Sequence, residues 1–121
     1  MASVRGIGVA VITKNILGDG SSAWAQGGIA AVLGEGDSYQ SHIKDTLIPG
    51  AGSCDLKATE FTVEHAAESI AGLLSLGVQF TQENGHVHLT REGGHSERRI
   101  VHVTDATGAA VQETLTDKVR H

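Results

Sequence analysis

The order of apolar and polar positions predicts a mixed α/β chain. Residues 8–13 are a β-branched run between a glycine and a polar stretch, a pattern typical of a buried strand in a parallel sheet. Residues 15–22 are rich in glycine, aspartate and serine and predict a loop. The chain then becomes small and apolar over residues 23–33, around Gly27-Gly28, which makes this stretch the first candidate site.

The next segment predicts a pair of helices that form a hairpin. A cap at residues 37–38 begins the first helix, and Pro49-Gly50 ends it. The second helix begins at Asp55 or Thr59 and ends at Gly77. Five apolar residues share one face of the second helix: Phe61, Ala66, Ile70, Leu73 and Leu74.

The remaining chain predicts a small hairpin and a final helix. Asn84-Gly85 favours a type I′ turn between short strands at 78–81 and 87–89. Residues 91–99 predict a loop, and residues 100–103 predict another short strand. Apolar residues at steps of four then predict an amphipathic helix, with Val111, Leu115 and Val119 on its face.

Composition and charge exclude several classes of protein. The net charge is −5 and the cations are dispersed, whereas a nucleic-acid surface needs clustered cations. The single cysteine, Cys54, has no partner for an internal disulfide, which favours a reducing compartment. The N-terminal apolar run is too short for a signal sequence or a membrane span. We therefore expect a cytoplasmic protein that binds neither nucleic acid nor membrane.

Residues 20–32 carry the first candidate chemistry. Their small side chains let a flat ring lie against the backbone, and successive N–H groups are suited to carbonyl oxygens or a pyrophosphate. Ser21, Ser22 and Gln26 add side-chain donors. The segment therefore suits a large polar cofactor, although a small-residue helix packed against a sheet explains the same composition.

Residues 88–100 carry the second group of candidate functional residues. Gly93-Gly94 permits a tight turn that places Glu92 and His95 in a cleft, where arginines 91, 98 and 99 are available to hold carboxylates. This combination suits a small dicarboxylate or an amino acid. The alternative is a solvated loop whose charges pair locally.

Two further signals are weaker. Asp105 and Gly108 open the last helix and are placed to direct N–H groups at an anion. His86 and His88 alternate across a strand pattern without Cys or Asp ligands, so we predict no metal site.

Four ordered blocks of sequence resemble one family. Residues 25–32, AQGGIAAV, resemble the flavin-contacting segment of the succinate dehydrogenase and fumarate reductase flavoprotein superfamily. Blocks within residues 41–55 (SHIKDTL, GAG, CD), 89–100 (LTREGGHS, RRI) and 102–108 (H, DATG) narrow the resemblance to the L-aspartate oxidases. Blocks of this length are far more specific than a lone glycine motif. The resemblance covers about residues 9–121.

The resemblance implies an α/β fold and a flavoenzyme. A partial Rossmann-type FAD-binding domain, with a strand and loop over about residues 9–36, would run into part of an α+β capping domain over about residues 37–121. The implied reaction oxidises L-aspartate to iminoaspartate for NAD biosynthesis through quinolinate, with hydride passing to FAD and then to oxygen or fumarate. A contact with a quinolinate synthase of the same pathway is a further expectation.

The resemblance also assigns site residues. Glu92 would face the substrate amino group as the catalytic-site residue, and its position is apolar in succinate-oxidising relatives. Those relatives carry a covalently flavinylated histidine at the position of Ser21, so the serine implies non-covalent FAD. The implied FAD contacts are Lys14, Ser21, Ser22, Ala23, Trp24, Ala25, Gln26, Gly27 and Gly28.

The same comparison implies an internal fragment that is inactive alone. The Gly-x-Gly-x-x-Gly turn of the family precedes this region, and the family's catalytic arginine and histidines follow it. Two alternatives stay open. One is a fragment of a fumarate reductase or succinate dehydrogenase-like flavoprotein, and the other is a non-enzymatic α+β module that binds a partner through its helical hairpin.

Overall fold

Three α-helices dominate the part of the chain that the structure describes. The computed structural model describes residues 8–120, and residues 1–7 and 121 of the predicted 1–121 unit lie outside the described part. The helices are α1 (Tyr39–Gly50), α2 (Leu56–Leu76) and α3 (Thr107–Arg120). α1 packs against α2, which confirms the predicted hairpin, and a short 3-10 helix, Ser21–Trp24, packs against α3.

The helix boundaries follow from local hydrogen bonding. The Ser38 hydroxyl accepts from the N–H of Ser41 at 3.1 Å, so it caps α1. The Asp55 carboxylate accepts from the N–H of Ala58 at 2.8 Å and caps α2. Gly77 ends α2 with φ of 105°, a left-handed conformation that favours glycine. The predicted caps and the predicted end of α2 are therefore confirmed.

Within residues 8–120, five two-residue strands form two antiparallel sheets. β1 (Ile29–Ala30), β4 (Leu89–Thr90) and β5 (Ile100–Val101) make a sheet of order β1-β5-β4. β2 (Gln82–Glu83) and β3 (His86–Val87) form a hairpin about the predicted turn, whereas the predicted first strand, residues 78–81, is coil and the predicted second, residues 87–89, is divided between β3 and β4. Asn84 and Gly85 have φ of 53° and 81°, as a type I′ turn requires.

The predicted strand at residues 8–13 is wrong for the described chain. Those residues are coil, and the side chains of Val9, Val11 and Ile12 are 55%, 50% and 93% exposed. A strand of a parallel sheet needs hydrogen-bonded neighbours and covered faces, and every ladder within residues 8–120 is antiparallel and lies elsewhere. β-branched composition alone therefore does not form a strand here.

The core lies between the three-stranded sheet, α2 and the residues that follow α2. Its buried members are Ala31, Ile70, Val78, Phe80 and Val101. Val78 and Phe80 reach this core from coil rather than from the predicted strand. Partly buried residues, including Ala66, Leu73, Leu74 and Val111, pack around it.

Three residues that were predicted to face the core do not reach it. Phe61 is 64% exposed, and its ring stacks on His65 with centroids 4.2 Å apart. On α3, Leu115 and Val119 are also exposed, while Val111 is partly buried. Helical periodicity thus identified the apolar faces correctly but not how far each face is covered. None of the helices described between residues 8 and 120 is long and apolar enough to cross a membrane.

We expect Asp55→Ala to lower the free energy of unfolding by about 1 kcal/mol, because it removes the acceptor for an otherwise unpaired N–H at the start of α2. Asp55→Ser should lose much less, since serine also caps helices. Denaturant titration of both variants measures the difference. Equal stabilities for the alanine and serine variants would contradict this role.

Candidate functional site

The small-residue segment 21–28 lies exposed on the surface. It begins with the 3-10 helix Ser21–Trp24 and runs directly into β1. Two of its N–H groups are used locally, since Ala23 donates to Gly20 and Ala25 donates to Ser22. Trp24 is 80% exposed and Gln26 is also exposed. The segment is therefore not the small-residue helix packed on a sheet that was the alternative explanation.

One face of this segment is open and the other is closely packed. A Cβ added at Gly20 or Gly27 would meet nothing within 4 Å. A Cβ at Gly28 would overlap the side chain of Ile100 and the carbonyl oxygen of Val101, so Gly28 lets the chain pass close over β5. Exposed hydroxyl and amide groups on an open, small-residue face fit a flat polar cofactor.

The N-terminus of α3 packs against segment 21–28. The N–H of Gly108 donates to the carbonyl of Ala25 at 2.9 Å, and a Cβ at Gly108 would overlap the carbonyl oxygen of Ser22. The Thr107 hydroxyl closes the preceding turn, accepting from the N–H of Val103 at 2.9 Å. The expected anion site at Asp105 and Gly108 is therefore wrong for Gly108, whose N–H is already bonded to protein.

Lys14 is an exposed residue in the coil that precedes the segment. The coil turns near Asp19, whose carboxylate accepts from the Asn15 amide at 2.6 Å. The residues between Lys14 and Ser21, including this turn, form neither helix nor strand.

Glu92 lies exposed in the loop of residues 91–99, which connects β4 to β5. The N–H of His95 donates to the carbonyl of Glu92 at 3.2 Å, and Gly94 has φ of 85°. The predicted tight turn is thus present, but it does not place Glu92 in a cleft, because that side chain is exposed. His95 points inward to the Arg99 guanidinium, with 3.4 Å between its Nδ1 and an Arg99 nitrogen, whereas Glu92 faces solvent.

Arg99 is fully buried and engaged by two carboxylates. Its Nε and Nη2 donate to the two oxygens of Asp37 at 2.9 and 2.7 Å, and its Nη1 donates to Asp45 at 2.7 Å. Its Nη2 also donates to the Ser41 hydroxyl at 3.0 Å. Arg99 is therefore not available to hold a substrate carboxylate, and the alternative of a solvated loop with local charge pairs is also wrong for this residue, which is buried and pairs with distant carboxylates.

Asp45 collects three donors on one oxygen. Besides Arg99, the N–H and the hydroxyl of Ser96 donate to its Oδ2 at 2.7 and 2.8 Å. The Ser96 bonds and the Arg99 guanidinium lower the pKa of Asp45 to about 2. Burial raises the pKa of Asp37, but the hydrogen bonds from Arg99 and Ser38 outweigh burial and lower that pKa overall. We call Asp37, Ser41, Asp45, Ser96 and Arg99 the Arg99 network.

We expect acid to weaken the fold through this network. The unfolded chain binds a proton on Asp45 near pH 3.8 and the folded chain only near pH 2, so the stabilisation is complete above pH 4 and is lost between about 4 and 2. Denaturant titration across that range should show stability falling with pH. Asp45→Asn should flatten the profile, and an unchanged slope in that variant would contradict the assignment.

His42, on α1, lies beside the Arg99 network. Its ring centroid is 5.5 Å from that of His95, and its Nδ1 is buried without a hydrogen-bond partner. Burial, followed by the positive charge of Arg99, lowers the pKa of His42. The imidazole is therefore neutral at neutral pH, which avoids a second buried cation beside Arg99.

A histidine pair occupies the sheet end near the β2–β3 hairpin. His88 Nδ1 lies 3.0 Å from His102 Nε2, and His88 Nε2 lies 3.8 Å from Glu83. Within residues 8–120 no group of three or more His, Cys, Asp or Glu side chains is arranged to hold a metal ion.

Sequence reasoning missed the partners of Arg99. It assigned Asp37 to a helix cap and gave Asp45 no role. A usable signal was the spacing of Ser41 and Asp45, which places two polar side chains on one face of α1.

The comparison with known proteins defines the class. A family model described as FAD binding domain matches residues 1–121. The chain therefore belongs to the FAD binding domain family, whose cofactor is FAD, and the open segment 21–28 is consistent with that cofactor.

Within that class, the chain is similar to L-aspartate oxidases. It is 50% identical over 120 residues to the L-aspartate oxidase of Pseudomonas aeruginosa, and 55% identical over 115 residues to L-aspartate oxidase 1 of Ralstonia nicotianae. Each alignment covers 93% of this chain but 22% of the relative, so the chain spans about a fifth of these relatives. The family resemblance inferred from the four sequence blocks is confirmed.

Solved structures support the same fold. Mycobacterium smegmatis Sdh1 in complex with UQ1 matches with a TM-score of 0.89 and 32% identity, over 98% of this chain and 20% of that one. A quinol-fumarate reductase with menaquinol molecules matches with a TM-score of 0.82 and 27% identity, over 87% and 18%. The mixed helices and strands described above are therefore those of a flavoprotein FAD-binding domain.

Proposed function

We propose that this chain supplies the flavin-facing and substrate-facing surfaces of an FAD-dependent L-aspartate oxidase. The main support is the sheet β1-β5-β4, since segment 21–28 leads into β1 and Glu92 follows β4. β1 and β4 both run antiparallel to β5, so the segment and the Glu92 loop leave opposite ends of strands two residues long. Strands on either side of a third lie about 10 Å apart across a sheet, so the segment and the Glu92 loop leave the same small sheet.

Segment 21–28 and Lys14 would hold the cofactor. The hydroxyls of Ser21 and Ser22 and the amide of Gln26 are exposed, and the open face at Gly27 admits a ring. When bound, FAD accepts the hydride that leaves the substrate and passes the electrons to oxygen or fumarate. A serine hydroxyl at position 21 does not form the covalent link that a histidine forms, so the proposed FAD is held non-covalently.

Glu92 would pair with the ammonium group of L-aspartate. Its carboxylate is exposed and therefore free to turn toward a bound molecule. Direct charge pairing favours an ammonium-bearing dicarboxylate over succinate, which carries no cation. The product would be iminoaspartate, the precursor from which the quinolinate route makes NAD.

The finer architecture and context belong to the same proposal. Residues 9–36 would complete a Rossmann-type FAD-binding domain, and residues 37–121 would form part of a capping domain. The match of the FAD binding domain model to residues 1–121 supports the cofactor-binding part of this proposal. A cytoplasmic location and a contact with quinolinate synthase remain predictions.

A chimera tests the function. In it, this chain replaces the matching segment of the Pseudomonas aeruginosa L-aspartate oxidase, which supplies the rest of the enzyme. We expect the purified chimera to retain flavin and to produce peroxide in response to L-aspartate. Acid precipitation should leave the flavin in solution. A chimera that folds without flavin would contradict the cofactor role, and flavin in the precipitate would contradict non-covalent binding.

The similarity to a quinol-fumarate reductase favours a second candidate, a succinate- or fumarate-converting flavoprotein. The two candidates differ in the role of Glu92, because succinate and fumarate have no ammonium group for that carboxylate to bind. Turnover of succinate in preference to L-aspartate by the chimera would favour this second candidate.

A further inference from the structure

The loop that carries Glu92 is fixed to the sheet at both ends. Leu89 and Thr90 of β4 pair with Val101 and Ile100 of β5, so the loop of residues 91–99 closes a hairpin. The Arg98 Nε also donates to the carbonyl of Leu89 at 3.0 Å, across the base of that hairpin. These contacts fix the ends of the loop but not the exposed turn that contains Glu92.

The turn is fixed instead by Asp45 of α1. The Asp45 carboxylate accepts from both the N–H and the hydroxyl of Ser96, at 2.7 and 2.8 Å. The Ser41 hydroxyl lies 3.0 Å from the Ser96 hydroxyl and adds a second contact from the same helix. Ser96 directly follows the turn that the His95 N–H closes on the Glu92 carbonyl. A shift of Ser96 would therefore move Glu92.

The need of Arg99 for a counter-ion does not by itself account for the position of the Asp45 carboxylate. Asp37 already forms a two-bond pair with the buried guanidinium, so Arg99 has a counter-ion without Asp45. Two of the three donors on Asp45 come from Ser96 rather than from Arg99. In turn, Arg99 holds the Asp45 carboxylate in place, and only 11% of that side chain is exposed.

We propose that Asp45 is a positioning residue that acts through Ser96 to hold the Glu92 turn in place for the substrate ammonium group. This rests on the proposed function, because it requires Glu92 to contact the substrate. α1 thereby contributes to substrate recognition without touching the substrate. One carboxylate oxygen of α1 thus accepts from two residues of the substrate loop, Ser96 and Arg99.

The test compares four variants of the chimera. Asp45→Ala removes the anchor, whereas Asp45→Asn keeps an amide oxygen that accepts from Ser96. Ser96→Ala removes the hydroxyl bond and keeps the N–H bond. Glu97→Gln, at an exposed position in the same loop, is the matched control for a charge change.

We expect Asp45→Ala to raise the KM for L-aspartate by about 10- to 100-fold with kcat and flavin content little changed, because misplacement of a binding group by about 1 Å has effects of this size. Asp45→Asn should recover much of the loss, Ser96→Ala should give a smaller rise, and Glu97→Gln should match the unmutated chimera. Amide hydrogen exchange at residues 92–97 should accelerate in Asp45→Ala, while α2 stays unchanged.

The outcomes are distinguishable. An unmutated chimera without aspartate turnover would reject the proposed function, and with it this role. A working chimera whose flavin-loaded Asp45→Ala variant keeps its KM and its exchange rates at residues 92–97 would reject the positioning role alone. A parallel fall in flavin content and kcat with KM unchanged would show that Asp45 only stabilises the fold. If Asp45→Ala does not fold, the KM values of Asp45→Asn and Ser96→Ala decide.

Discussion

Glu92→Leu in the chimera is expected to lower kcat/KM for L-aspartate by about 30-fold or more, because loss of one partner of a charge pair that the bound substrate desolvates costs about 2–5 kcal/mol. Glu92→Gln should lose less, since its amide oxygen still accepts a hydrogen bond from the ammonium group. Steady-state kinetics with L-aspartate measure both effects.

The control for this prediction is a substrate without an ammonium group. Fumarate carries two carboxylates and no cation, so its reduction by Glu92→Leu should match or exceed that of the unmutated chimera. Glu97→Gln controls for the loss of one negative charge from the loop. Equal losses with L-aspartate and with fumarate would mean that Glu92 supports the loop rather than the ammonium group.

Gly108→Val is expected to abolish flavin retention and to lower the free energy of unfolding by about 3 kcal/mol or more. A side chain at this position would overlap the backbone oxygens of Ser22 and Ala25, and backbone atoms yield less readily than a flexible side chain. The N-terminus of α3 would then push segment 21–28 out of position. Flavin content per protein and thermal unfolding measure the two effects.

Gly72→Ala is the matched control on α2. A Cβ at Gly72 meets nothing within 4 Å, and alanine is a better helix former than glycine by about 1 kcal/mol. The control should retain flavin and unfold at a slightly higher temperature. Full flavin retention by Gly108→Val would contradict the supporting role of α3.

Local chemistry accounts for the elements that the sequence predicted well. The caps at Ser38 and Asp55, the left-handed Gly77 and the turn at Asn84-Gly85 each depend on a few neighbouring residues. Such features are visible in sequence because their hydrogen bonds are made within a few positions.

Features that depend on distant neighbours were not predictable in the same way. The strand expected at residues 8–13 requires pairing partners that the described residues do not contain. Phe61 has helical spacing suited to burial, yet no element among the described residues 8–120 covers it. Burial of an apolar face depends on what packs against it, and periodicity carries no information about that.

In the candidate site, too, features set by neighbouring residues were predictable from the sequence, and contacts between distant residues were not. The small-residue composition of segment 21–28 and the turn at Glu92 were evident in the sequence, and family resemblance assigned their roles. The Arg99 network joins residues about 60 positions apart, as in the bond from Arg99 to Asp37. An arginine in a polar loop looks solvated in sequence, so its complete burial emerged only from the fold.

The most direct test of the central claim is the anaerobic mixing of the oxidised chimera with L-aspartate. Without oxygen, hydride transfer from substrate is seen directly as loss of the oxidised flavin absorption band. We predict that L-aspartate reduces the flavin and that succinate at the same concentration does not. A chimera that binds flavin but is not reduced by L-aspartate, while the Pseudomonas aeruginosa enzyme is reduced under the same conditions, would contradict the claim.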